Sequence, residues 1–103
     1  MNIAKMMKQA QQMQKQMGEM QEKLAAEQVE ASVGGGKVTV TATGGGDVVA
    51  IKIDKSVVDP EDTEFLEDLI LSGVQAAISK GRERAEGEMK KITGGMGLPG
   101  MGF

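Results

Sequence analysis

Val29-Glu30-Ala31-Ser32-Val33, Gly34-Gly35-Gly36-Lys37, Val38-Thr39-Val40-Thr41-Ala42-Thr43, Gly44-Gly45-Gly46-Asp47, Val48-Val49-Ala50-Ile51-Lys52-Ile53 is the stretch that decides the fold. Val29, Ala31 and Val33 alternate with Glu30 and Ser32. Val38, Val40 and Ala42 alternate with Thr39, Thr41 and Thr43, and Val49, Ile51 and Ile53 with Val48, Ala50 and Lys52. A period of two puts every second side chain on one face of a strand. The two glycine triplets punctuate the pattern as hairpin connections. The reading is a three-stranded antiparallel meander with one apolar face.

Outward from the meander, the period lengthens on both sides. Ile3, Met6, Ala10, Met13, Met17, Met20 and Leu24 step by threes and fours, a coiled-coil-like seam on one amphipathic helix over residues 3–27. Gly18 lies off the seam and marks a possible bend. Twenty-five helical residues extend about 37 Å, more than so small a body can cover, so part of this helix projects or packs on a partner. Downstream, Asp59-Pro60-Glu61-Asp62 reads as a helix start, with Asp59 as N-cap and Pro60 at the first helical position. Phe65, Leu66, Leu69, Ile70, Val74, Ala77, Ile78, Ala85, Met89 and Ile92 then recur at helical spacing until Gly94-Gly95. Within that helix Gly73, Ala77, Gly81 and Ala85 form a stripe of small residues, read either as the close approach of another backbone or as glycine tolerated on an exposed face. The expectation is an α+β fold: long helix, meander, long helix, one domain over residues 1–95 and a flexible Gly/Met tail over 96–103.

The 103 residues contain no Trp, Tyr, Cys or His, and Phe65 and Phe103 are the only aromatics. Valine, isoleucine, leucine, alanine and nine methionines must therefore build the core of a domain with little surface to bury. A second copy of the chain is the simplest remedy, and the expectation is a homodimer. No run of apolar residues is long enough to span a membrane, and no apolar segment follows the N-terminal charges as in a signal peptide; the chain reads as cytoplasmic.

Chemistry is scarce. Without His or Cys there is neither the commonest general base nor a thiolate nucleophile, so no catalytic residue is assigned and no enzyme is expected. The acidic run Asp59, Glu61, Asp62, Glu64, Glu67 and Asp68 lacks the spacing of a calcium loop and reads as a solvated helix start, not a metal site. Gly36-Lys37 is followed by Val38 where a phosphate loop needs Ser or Thr, and the glycines lead into strands where phosphate loops open helices. No cofactor and no small-molecule substrate are implied.

What remains is surface charge. The net charge is −3, but residues 1–17 carry Lys5, Lys8 and Lys15 with no acid, interleaved with Gln9, Gln11, Gln12, Gln14 and Gln16. Lysine neutralises phosphate, and glutamine donates to phosphate or sugar oxygens. The polar side of the first helix is thus a DNA-contact candidate, whereas the methionine seam alone would suit a protein–protein adaptor that has no use for DNA.

Met6-Met7-Lys8-Gln9-Ala10-Gln11-Gln12-Met13-Gln14, Gly36-Lys37-Val38-Thr39-Val40-Thr41, Val48 to Ile53-Asp54, Leu66-Glu67-Asp68-Leu69-Ile70 and Ile92-Thr93-Gly94-Gly95 with Pro99-Gly100, in that order, closely resemble the YbaB/EbfC family of bacterial nucleoid-associated proteins. The resemblance covers essentially the whole chain. It implies a homodimer with a compact body and projecting N-terminal arms that binds double-stranded DNA and alters its conformation. It further implies a place in the nucleoid, with influence on its organisation, gene expression or DNA protection. Lys5, Lys8, Lys15 and Lys23 are the first expected phosphate contacts, and Arg82, Arg84, Lys90 and Lys91 the second. The chain departs from the family where Gly73, Gln75 and Ala76 stand in place of an Ala-rich stretch with an Asn-Asp pair; this touches the second helix and not the arms.

If the glycine triplets and the acidic run bind neither nucleotide nor metal, ATP–magnesium or calcium leaves the thermal midpoint unchanged. A ligand at a hundred times its Kd would instead add about 2.7 kcal/mol, a rise that scanning fluorimetry detects.

Overall fold

Asn2 opens the first helix by accepting the Lys5 amide on its side-chain oxygen, at 3.2 Å. The computed structural model, which describes residues 2–95, continues this helix as α1, Ile3–Ala26, unbroken through Gly18. Glu27 leaves it in extended conformation, and the chain enters β1 (Gln28–Val33), β2 (Val38–Thr43) and β3 (Val48–Ile53). The strands pair antiparallel in sequence order. Gly34, Gly35 and Gly36 all have positive φ, at 63°, 69° and 87°, backbone that residues with a Cβ avoid. The second hairpin is irregular: Thr41 faces Ala50 while Ala42 faces Val48, so Val49 is the extra residue of a bulge.

After β3, Asp54 caps a short 3-10 turn, Lys55–Val57, by accepting the Ser56 amide at 2.8 Å. That hydrogen bond, with Lys37 at 3.7 Å behind it, holds the Asp54 carboxyl below its ordinary range. The second long helix, α2, runs from Thr63 to Gly95. Its cap is Asp62, whose side chain accepts the Phe65 amide at 3.4 Å, not Asp59. Asp59 and Pro60 form a separate turn in which Asp59 accepts the Glu61 amide (2.9 Å) on its side chain and the Asp62 amide (3.0 Å) on its carbonyl. Two aspartates three residues apart can each cap, and the turn takes the first. At the other end the helix takes in Gly94 and Gly95, residues whose sequence signal is a helix stop; the tail 96–103 lies outside the described residues.

One face of the sheet carries the core. Val38, Val40 and Ala42 of β2 and Ala77 of α2 are fully buried, with Val33, Leu69, Val74 and Ile78 packed around them. On the other face, Ser32 and Thr39 share a cross-strand hydrogen bond at 2.9 Å near solvent, as the alternation of the sequence requires. The small-residue stripe of α2 meets the sheet. A Cβ on Gly73 would stand 2.8 Å from Val40 Cγ2, and one on Gly81 would stand 2.5 Å from the Thr43 carbonyl oxygen. The helix can lie this close to β2 only because those side chains are missing.

Coverage stops there. α2 lies over β1 and β2 and barely reaches β3, all six residues of which are exposed. Ile51 and Ile53 sit opposite Val40 and Val38, hence on the core face, yet remain 45% and 36% exposed. α1 touches the body only through its last turns, where Leu24 is buried.

Gly81→Ala should destabilise by about 1–3 kcal/mol, since the new methyl meets strand backbone that cannot step aside. Gly87→Ala, on the same helix with nothing within 4 Å of the added Cβ, should stabilise by about 0.5–1 kcal/mol through helix propensity. Chemical denaturation of the two variants against the parent measures both signs.

Candidate functional site

Helix geometry sorts the residues of α1 into two stripes. At about 100° per residue, Lys5, Lys8, Lys15 and Lys23 fall within roughly 80° of arc, with Ile3, Met6, Met13 and Met17 on a different side. All four lysines are exposed, and among the described residues none has a carboxylate within 4 Å. Glu19 and Glu22 enter the lysine side near Lys23 and dilute its field, whereas Lys5, Lys8 and Lys15 have no acid among the helix residues before Glu19. Lysine heads held this way by a rigid rod remain available to a polyanion.

The cations of the body are differently placed. Arg84 pairs with Glu27 at 3.6 Å and Lys91 with Glu88 at 3.6 Å. Arg82 lies over the second hairpin, its guanidinium within 2.9 Å of where a Cβ on Gly46 would stand. Lys90 lines a largely apolar cleft of about 390 Å³ between the helices, with Leu24, Ala25, Ala85 and Met89. Arg84 and Lys91 are thus held by carboxylates, while Arg82 and Lys90 are set against the second hairpin and the root of α1.

The acids lie at the far end of the sheet. Leu69, one residue after the acidic run, packs at Gly34 in the first hairpin. The end of α1 packs at the other hairpin, where Leu24 and Ala25 adjoin Gly44 and Gly45. Six-residue strands separate these hairpins by about 20 Å, so the carboxylates do not oppose the field of the arm. Among the described residues no group of three or more acids could hold a metal ion, and no helix is long and apolar enough to cross a membrane.

A second surface had no distinct signal in the sequence. Val49, Ile51 and Ile53 of β3 are exposed on the flank that α2 leaves open, and Phe65, Leu71 and Val58 are each more than half exposed. Alternation marks an apolar strand but cannot say how many strands one helix will cover.

The model of the YbaB/EbfC DNA-binding family matches residues 1–96. A nucleoid-associated protein of Akkermansia muciniphila is 55% identical over the full length of both chains. One of Ruminiclostridium cellulolyticum is 52% identical, over 97% of this chain and 88% of the relative. The fold also matches the crystal structure of an uncharacterised Helicobacter pylori protein, with a TM-score of 0.62, 24% identity, and coverage of 81% of this chain and 96% of that one.

Proposed function

The chain belongs to the YbaB/EbfC DNA-binding family, and on that premise we propose that it is a non-catalytic nucleoid protein that binds double-stranded DNA as a homodimer and alters its conformation. Its contacts are electrostatic and centred on Lys5, Lys8 and Lys15 of α1. The observation that carries this reading is the unpaired, exposed lysine stripe on a helix that leaves the body. Lys23 extends the stripe, and Arg82, Arg84, Lys90 and Lys91 contribute less because the fold already engages them. Lysine meets phosphate as a point charge and reads no base pattern, and α1 has no aromatic residue to stack on bases. Selectivity among sequences is accordingly weak, and the protein resides with the nucleoid in the cytoplasm.

Dimerisation is the second half of the reading. The uncovered Ile51 and Ile53, continuous with the core face, and the exposed Leu71 of α2 form an apolar surface of the kind that marks association sites. A second copy placed there completes the core and brings two arms to one DNA. The exposed seam of Ile3, Met6 and Met13 supports the competing adaptor reading, in which a partner helix packs on the arm and DNA is irrelevant.

Replacing Lys5, Lys8 and Lys15 with Gln preserves the helix and the seam. Affinity for random duplex DNA should fall, and the slope of log affinity against log salt, at most about −5 if six lysines of a dimer meet phosphates, should flatten. Unchanged affinity and slope would move the site to Arg82–Lys91, and absence of salt-sensitive binding in the parent would favour the adaptor.

Ile51→Lys with Ile53→Lys should halve the mass measured by light scattering at micromolar concentration while leaving the helical signal intact. A parent chain that is already a folded monomer there sinks the dimer.

A further inference from the structure

A three-stranded sheet has two edges, and in this protein they are treated differently. Backbone groups of an antiparallel strand point alternately toward its neighbour and away. The Glu27 carbonyl accepts Gly44 N–H at 2.9 Å, so Glu27, Val29 and Ala31 face β2, while Gln28, Glu30 and Ser32 direct their N–H and C=O groups outward from β1. That outward row could accept another strand. It is occupied at its centre: Lys80 Nζ of α2 donates to the Glu30 carbonyl at 2.7 Å, across fifty residues of sequence. One helical turn on, Arg84, which lines the same groove along β1 with Gln28, Ser32 and Ala76 among others, holds Glu27 at 3.6 Å. On β3, by contrast, no described side chain donates to or accepts from the backbone, and the strand is apolar on its core face.

We propose that Lys80 guards the β1 edge: its ammonium, seated on the Glu30 carbonyl, keeps that edge from accepting a strand of a second copy and confines self-association to the β3 side. Two features make the seat effective. A strand added at β1 needs the Glu30 carbonyl as acceptor and must first displace a charge-assisted bond. Two copies meeting β1 to β1 would also bring two Lys80 ammonium groups together, and lysine on an edge is a common barrier to such pairing. Without the guard, a body already joined through β3 could join again through β1 and grow without closing. The β3 half of this proposal rests on the dimer reading above; the β1 half is read separately.

Lys80→Met keeps the aliphatic stem and removes the ammonium. Light scattering across a concentration series should show the parent reaching a constant mass, and the variant rising to about twofold that mass or more. In the variant assembly, the Glu30 and Ser32 amides should gain protection from hydrogen exchange. Adding Ser32→Pro, which removes an outward N–H without touching the β1–β2 ladder, should return the mass to the parental value. Lys80→Gln serves as an independent neutral replacement should the methionine variant fold poorly. Parental mass at every concentration in both variants overturns the guard, as does growth without protection at Glu30 and Ser32. A parent that stays monomeric while Lys80→Met assembles through β1 would sink the dimer reading and leave the guard standing.

Discussion

The approach of α2 to β2, backbone almost against backbone, is the constraint from which the rest of the molecule follows. Gly73 lies against Val40, Ala77 is fully buried, and Gly81 sits against the Thr43 carbonyl. A chain nearly without aromatic residues cannot fill a wide gap between helix and sheet. It closes the gap by leaving side chains out, and the core becomes a thin layer of Val38, Val40, Ala42 and Ala77. Packing at this distance gains dispersion contacts per residue, but the covered area is narrow, and a single helix in that position serves two strands and not three.

That narrowness sorts the surfaces. β3 and the adjoining flank of α2 keep apolar residues in the open, while the opposite edge of the sheet is closed over by Lys80 and Arg84. Both edges offer backbone donors and acceptors, and α2 places cations beside only one of them. The same helix that builds the core therefore also decides which side of the protein is sticky.

Charge is divided along the long axis in a related way. The acids at the start of α2 stay at the first hairpin, Arg84 pairs with Glu27 at the second, and the unpaired lysines ride on α1. A chain with net charge −3 can attract a polyanion only through such a local field, and separation by the length of the sheet prevents one end from cancelling the other.

Much of this was legible in the residues. The change of period from helical to two and back, the glycine triplets, and the acid-free run with Lys5, Lys8 and Lys15 are local patterns, and local patterns determine which elements form and which faces are polar. The order of elements and the location of the lysine stripe needed nothing more. The cap of α2 falls on Asp62, three residues past Asp59, because both offer the same side-chain acceptor and only the path of the chain chooses between them. The stripe Gly73, Ala77, Gly81 stayed ambiguous for the same reason: missing side chains show that something comes close, not what. That β3 stays uncovered, that Arg84 pairs with Glu27 at the end of a different helix, and that Lys80 reaches a carbonyl fifty residues earlier were decided by the tertiary structure alone. They depend on where one rigid helix lands across three strands, a relation between distant segments that no window of sequence contains.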